Sequence, residues 1–328
     1  MSQQTVLYDI PGPRQRRLTL IISILAVALV AAGAYFLIYQ PLDEKGQFSM
    51  ELWGPMIDPS NENFVLVWQR IWVGVQNTLT AAVLAIISSL VIGTLLAILR
   101  IQLKGLVTRR FEGSATPVAY LLRGLSLVLA GLTRFCVEVF RGLPVVITIF
   151  FVARGFPEFG ITMDNLWYLV IGLTIYNGVV IAEILRSGME GLPPGQREAA
   201  VAIGLSPFQT TSLILLPQAF RIMLPALISQ LVVVLKDTSL GFIISYEETL
   251  NIGKQIIGAL SNPIQVYVII AVLFILVNYS LSKLAQYVQK RLARGRKTAA
   301  LPPQNPPPAA LISQAEGGGG GGAGGGAS

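Results

Sequence analysis

The sequence predicts an all-α protein that crosses a membrane several times, and three observations carry that reading. Hydrophobic residues make up 53% of the chain and charged residues only 12%, about half the charged share of a soluble domain. Mean hydropathy is +0.65, and the apolar residues are gathered into runs near the roughly 20 that a helix needs to cross a hydrocarbon core. Basic segments alternate with an acidic one between those runs, as loops on opposite sides of a membrane do. The net charge of +7 would suggest nucleic acid on a soluble protein. Here it sits between apolar spans and reads as membrane orientation, with lipid and not nucleic acid as the surrounding partner.

The spans follow in order. Leu18–Tyr39 is the first, free of charge. Its basic start and Ala32-Gly33-Ala34 also fit a cleaved signal peptide. The apolar run continues through Tyr35, Phe36, Leu37 and Ile38, which favours an uncleaved anchor. Ile71–Leu99 is the second, long enough to tilt. The third is less clean: Gly142–Ala153 is short and is expected to continue back as one helix through Leu125–Phe140, which holds Arg134 and Glu138. Asn165–Ala182 is the fourth. Ile222–Leu235 is the fifth and is expected to run on through Lys236 and Asp237, and Ile264–Ser282 is the sixth. The expectation is six helices: an N-terminal anchor and five core helices.

Charge orients them. Arg14, Arg16 and Arg17 precede the first span. Arg100, Lys104, Arg109, Arg110 and Arg123 follow the second against Glu112, and Lys283, Lys290, Arg291, Arg294, Arg296 and Lys297 follow the sixth. These regions should be cytoplasmic. Residues 40–69, where Asp43, Glu44, Glu51, Asp58 and Glu62 oppose Lys45, should be an extracellular loop. The domain reading is then a cytoplasmic start (1–17), an anchor (18–39), the extracellular loop (40–69), a transmembrane domain (70–290) and a cytoplasmic tail (291–328). Both termini lie inside. The tail is Pro-rich at 302–308 and almost all glycine at 317–328, so it cannot bury enough apolar surface to fold.

One loop, at 186–221 between the fourth and fifth spans, carries the functional signal. Pro193, Pro194 and Gly195 stop the incoming helix. Gln196–Ile203 reads as a short helix rich in good formers, Gly204 as its terminator, and Ser206-Pro207 as a cap followed by a first-turn proline. An ordinary hairpin would explain the Glu-Ala-Ala tripeptide alone. The full spacing is more specific: Glu198-Ala199-Ala200, three residues, Gly204, nine residues, Ile214, one residue, Leu216-Pro217. It resembles the EAA signature of permease subunits of ATP-binding-cassette (ABC) importers. In that family the loop is a coupling helix seated in a groove of the ATPase. The resemblance assigns docking to Glu198, Ala199, Ala200 and Gly204.

Other segments resemble polar amino acid permeases: Phe135–Pro144 (FCVEVFRGLP), Ala182–Gly188 (AEILRSG), Leu216–Arg221 (LPQAFR) and Leu235–Leu240 (LKDTSL). Cys136 stands where tyrosine is usual, and Leu143 where threonine is. The extra first span and the Tyr8–Pro13 start resemble actinobacterial glutamate permease subunits. The implied fold is a type I importer transmembrane domain. The implied partners are two ATP-binding subunits, a second permease subunit (copy or paralogue) and an extracellular solute-binding protein. No cofactor is expected in this chain, since ATP and Mg would be bound by the partner ATPase.

Ionisable residues inside spans cost about 2.5–3.5 kcal/mol on insertion scales, so they pair or line an aqueous path. Glu138 with Arg141, and Glu183 with Arg186, share a helix face three residues apart and are expected to pair locally. Lys236 and Asp237 are adjacent and cannot simply neutralise one another. With Thr238 and Ser239 they either border the translocation path or its gate, or pair with a neighbouring helix. Gln76, Asn77, Thr78 and Thr80 are a second path candidate, or ordinary polar packing between helices. An anionic amino acid would favour Lys236 or Arg141 in the path. The chain holds no histidine and a single cysteine, Cys136. His-based triads, His zinc sites and an internal disulfide are therefore ruled out. The chain also lacks a GxxxxGK[ST] phosphate loop. A secondary transporter or channel is the rival reading, and the motif spacing stands against it. An intramembrane enzyme has no constellation to support it.

Overall fold

The structure is a computed structural model and describes residues 12–108 and 116–294. The Tyr8-containing start, the stretch with Arg109, Arg110 and Glu112, and the Pro- and Gly-rich tail lie outside the described residues. Among the described residues no strand occurs. The helices are α1 (Pro13–Ala34), α2 (Gln40–Glu44), α3 (Met50–Ile57), α4 (Phe64–Thr108), α5 (Thr116–Gly142), α6 (Val145–Glu158), α7 (Asn165–Glu190), α8 (Pro194–Ala202), α9 (Pro207–Gln209), α10 (Leu216–Asp237), α11 (Thr249–Leu260) and α12 (Pro263–Arg294). Wide π-type turns join α1 to α2 at Tyr35–Tyr39 and α9 to α10 at Thr210–Leu215. A 3-10 stretch, Thr238–Ile244, extends α10. Among the described residues six stretches are long and apolar enough to cross a membrane: Pro13–Glu44, Phe64–Val107, Tyr120–Gly142, Asn165–Glu190, Pro207–Ile244 and Pro263–Arg291. Residues up to Ser282 form one compact unit. Of the second, which begins at Lys283, the described part is the end of α12.

The expected single helix through 125–153 is two helices. The chain breaks at Leu143-Pro144, where Pro144 has φ −58° and ψ 137° and sits at the N-cap of α6. A proline lacks the N–H a continuing helix needs and pushes the preceding residue toward extended backbone. The segment read as a loop at 40–69 is largely helical and anchored. Met56 of α3 is 1% exposed and packs with Val67 and Ile71 of α4, Ile252 and Ile256 of α11, and Val266 and Ile270 of α12. Asn262 Nδ2 donates to Leu52 O at 3.2 Å and Gln265 Nε2 to Gln47 O at 2.6 Å. The acidic residues and turn formers hid this contact, because they break the apolar residues into runs too short to read as a span.

α7 is the central helix, with buried residues along its whole length, whereas α1 buries none. Small residues let α7 meet its neighbours closely. A Cβ on Gly93 of α4 would lie 2.7 Å from Ile181 Cγ2 and 2.8 Å from the Gly178 carbonyl oxygen, so only glycine fits there. This is the close backbone approach that helices in lipid rely on when no hydrophobic force drives them together. At one end of the bundle, Ala97 and Ile101 of α4 pack with Ile181, Leu185 and Met189 of α7 and with Leu215 and Ala219. That cluster forms the floor on which the α8–α9 hairpin rests.

Candidate docking loop and buried polar groups

The hairpin is built as its local chemistry dictates. Pro193 is the N-cap of α8 and Pro194 occupies its first turn. The helix closes by two bonds, Leu205 N–H to Ala200 O at 3.0 Å and Gly204 N–H to Val201 O at 2.9 Å. Gly204 is left-handed at φ +82°. This is a Schellman closure, which wants glycine at that position. Ser206 then starts α9 with a capping box: its hydroxyl accepts from Gln209 N–H at 3.3 Å, and its own N–H donates to Gln209 Oε1 at 2.9 Å. Gln218 Nε2 of α10 donates to Gln196 Oε1 of α8 at 3.2 Å.

The four motif residues divide by role. Glu198 and Ala199 face solvent, and Gly204 makes the turn. Ala200 is 3% exposed, so this side of the helix faces inward in the chain itself. The sequence reading missed Val201, Ile203 and Phe208, which stand 62%, 75% and 59% exposed around the turn. Their apolar character in a polar loop was the available signal.

The residues at 236–239 do not form one cluster. Lys236 is exposed on the surface of α10. Thr238 is fully buried and donates to Leu235 O at 2.6 Å, and Ser239 donates to Lys236 O at 2.8 Å. Both hydroxyls close the end of α10. Asp237 turns inward: Asn177 of α7 lies within hydrogen-bonding reach of its carboxylate, and its Oδ2 is enclosed without a partner. Asn177, 0% exposed, also donates to Leu173 O at 3.0 Å and accepts from Gln230 Nε2 at 2.7 Å. The inward polar row is therefore Gln230, Asn177 and Asp237. Two of these three were not recognised from sequence, because a lone amide in an apolar run carries no pattern.

Of the second candidate set, Asn77 and Thr78 bond the segment that leads into α11, while Thr80 is exposed and donates to Gln76 O of its own helix at 2.8 Å. Asn77 Nδ2 donates to Glu247 O at 2.8 Å, and Tyr246 Oη donates to Asn77 O at 3.0 Å. Thr78 and Thr249 share a hydroxyl hydrogen bond at 2.8 Å, and Thr249 N–H donates to Thr78 Oγ1 at 3.1 Å. Gln76 is exposed. Nearby, Glu248 is completely enclosed and caps α11 through bonds from Leu250 and Asn251 N–H, each 2.7 Å. Burial pushes its pKa up to about 7, against the lowering effect of those two bonds.

The expected Glu138–Arg141 pair is absent. Glu138 bonds Arg134 at 2.8 Å, one turn earlier, and Arg141 approaches Glu183 of α7 at 4.0 Å. Glu183 pairs with Arg186, as its spacing implied, but also with Arg100 of α4. Lys104 of α4 reaches Glu190 of α7 at 2.8 Å. Apart from Arg141, these charges line a cavity of about 490 Å³ between α4, α5 and α7, at the hairpin end of the bundle. The reason for the departure is tertiary: α4 brings cations across to α7 that local spacing cannot reveal.

Comparison with known proteins agrees with this architecture. Residues 115–294 match the family described as the binding-protein-dependent transport system inner membrane component. The chain is 38% identical over 259 residues to the glutamate transport system permease protein GluD of Corynebacterium glutamicum, covering 78% of this chain and 85% of that one. It is 36% identical over 167 residues to the probable glutamine ABC transporter permease protein GlnP of Bacillus subtilis, covering 50% of this chain and 77% of that one. Among solved structures, one described as an amino acid ABC transporter with histidines aligns with a TM-score of 0.56 at 23% identity, covering 70% of this chain and 96% of that one. On its hairpin, its six apolar spans and these matches, the chain belongs to the binding-protein-dependent transport system inner membrane component family, the permease subunits of ABC importers.

Proposed function

We propose that this chain is the membrane-spanning permease of an importer that carries glutamate or a closely related polar amino acid inward. In this reading ATP and Mg are bound by separate subunits seated on the α8–α9 hairpin. The observation that carries it is the hairpin itself. A rigid, doubly capped turn presents Glu198, Val201, Ile203 and Phe208 to solvent, which is the mix of charge and apolar anchors a protein interface uses. The basic residues on the hairpin's side of the sequence support a cytoplasmic position for it and for both termini. The names of the relatives support the substrate class. Movement of the docked ATPase subunits would shift the bundle between two arrangements, each open to one side.

A second permease subunit is part of the proposal. Ser229 and Lys236 are exposed on the same face of α10, well within a membrane-spanning stretch. A lysine there calls for protein or water and not lipid tails. An extracellular solute-binding protein completes the assembly. The test is purification in mild detergent with its natural partners, followed by uptake in proteoliposomes. An ATP-binding subunit should co-purify, and glutamate accumulation should require ATP. Accumulation by this chain alone without ATP would instead establish the secondary transporter.

A further inference from the structure

We propose that Gln102 is the positioning residue that couples the docking hairpin to α4, and that α4 carries hairpin movement through the membrane as a single rod. This rests on the docking reading above. Gln102 Nε2 donates to Thr211 Oγ1 at 2.8 Å and to the Pro207 carbonyl at 3.2 Å. Thr211 is 3% exposed and spends its own proton on Pro207 O at 2.9 Å, which leaves its oxygen free to accept. One neutral amide with two N–H donors thus meets two acceptors, both on the capped turn that follows the docking helix. A glutamate at 102 would set acceptor against acceptor.

The opposite face of α4 is held too. Arg100 pairs with Glu183 and Lys104 with Glu190, both on α7. Residues 100 and 104 share a helix face, and 102 points the other way. The end of α4 is therefore gripped between the hairpin and α7. At the far end, Asn77 and Thr78 grip Tyr246, Glu247 and Thr249, in the segment that leads into α11. Between these grips α4 is unbroken and has no proline in its 45 residues. It meets α7 at close range at Gly93, where no side chain fits between the helices. At 1.5 Å per residue, Gly93 lies roughly 13 Å from Gln102 and roughly 24 Å from Asn77. A small tilt about that contact is larger at the far grip than at the hairpin. Asn77 and Thr78 thereby gain a role that neither path lining nor simple packing assigned them.

The experiment uses the whole complex in proteoliposomes, with the near-isosteric variants Gln102→Met and Thr211→Val and the double variant. Three quantities are read: ATPase retained on purification, ATP hydrolysed and substrate accumulated. Each single variant should keep its ATPase and hydrolyse within about twofold of the parent, while uptake per ATP falls about fivefold or more. The double variant should be no worse than either single one, because the two remove one shared interaction. Uptake that is unchanged, or that falls in parallel with hydrolysis, overturns the coupling role, as does a double variant whose losses multiply. A parent complex that retains no ATPase overturns the docking reading and this inference with it. A defect confined to the variants' coupling ratio leaves docking intact and supports the pin.

Discussion

Gly204 shows how far a single residue is legible. Its φ of +82° disfavours any side chain, and a Cβ there would meet nothing within 4 Å. The penalty of Gly204→Ala is thus purely backbone, about 1–2 kcal/mol. Gly204→Ala should weaken ATPase retention and uptake together. Gly195→Ala, equally uncrowded and with an ordinary φ, should leave both unchanged in the same assays. Gly204, Ser206 and Pro207 were readable because a turn is made of its own residues. Glu248 was not: its burial comes from elements far away in the chain. Its pKa stands near 7 in the folded protein, against 4.5 as the ordinary value. Between those values the folded form keeps a proton that the unfolded form has lost, so stability falls as pH rises through that window and levels off above it. A thermal melt in detergent should show Tm declining from pH 4.5 to about 7.5, with Glu248→Gln flattening the decline.

At the scale of elements, amphipathic character decides which residues a helix shows. α8 buries Ala200 and exposes Val201, so the motif's second alanine is a floor contact while Val201 and the residues beyond it stay open to solvent. Ile203→Asp and Phe208→Asp should each cut ATPase retention about tenfold or more, the scale of an interface hot spot. Tm should not change, because neither side chain packs inside. Gly93→Ala should do the reverse. Its new methyl would meet Ile181 and the Gly178 carbonyl oxygen at under 3 Å, and overpacking of this kind costs about 1–3 kcal/mol. Differential scanning fluorimetry should register a lower Tm with the hairpin unaltered. The break between α5 and α6 was written in Pro144. It was overlooked because the apolar run passes straight across it, and hydropathy alone is blind to a missing N–H.

For the whole molecule, orientation is the expectation most open to direct test. In a Cys136→Ser background, a cysteine at Ser60 should react with a membrane-impermeant maleimide in intact cells. A cysteine at Ser206 should react only after the membrane is opened. Solvent preference is a bulk property of composition, so the sequence by itself determined that the chain is helical and membrane-embedded, with six stretches among the described residues long and apolar enough to span. Turn and cap chemistry is local, so the sequence also determined the turn and caps of the α8–α9 hairpin at Gly204, Ser206 and Pro207. Only the tertiary structure decided the rest. It bonded Asn77 and Thr78 to the segment that leads into α11, and turned Asp237 inward to Asn177 while leaving Lys236 outside. It joined Arg100 and Lys104 to α7, and it set Gln102 against the hairpin turn. These contacts join residues 60 to 171 positions apart in the chain. Such contacts depend on which helix faces meet, and helix periodicity gives a face without naming its neighbour.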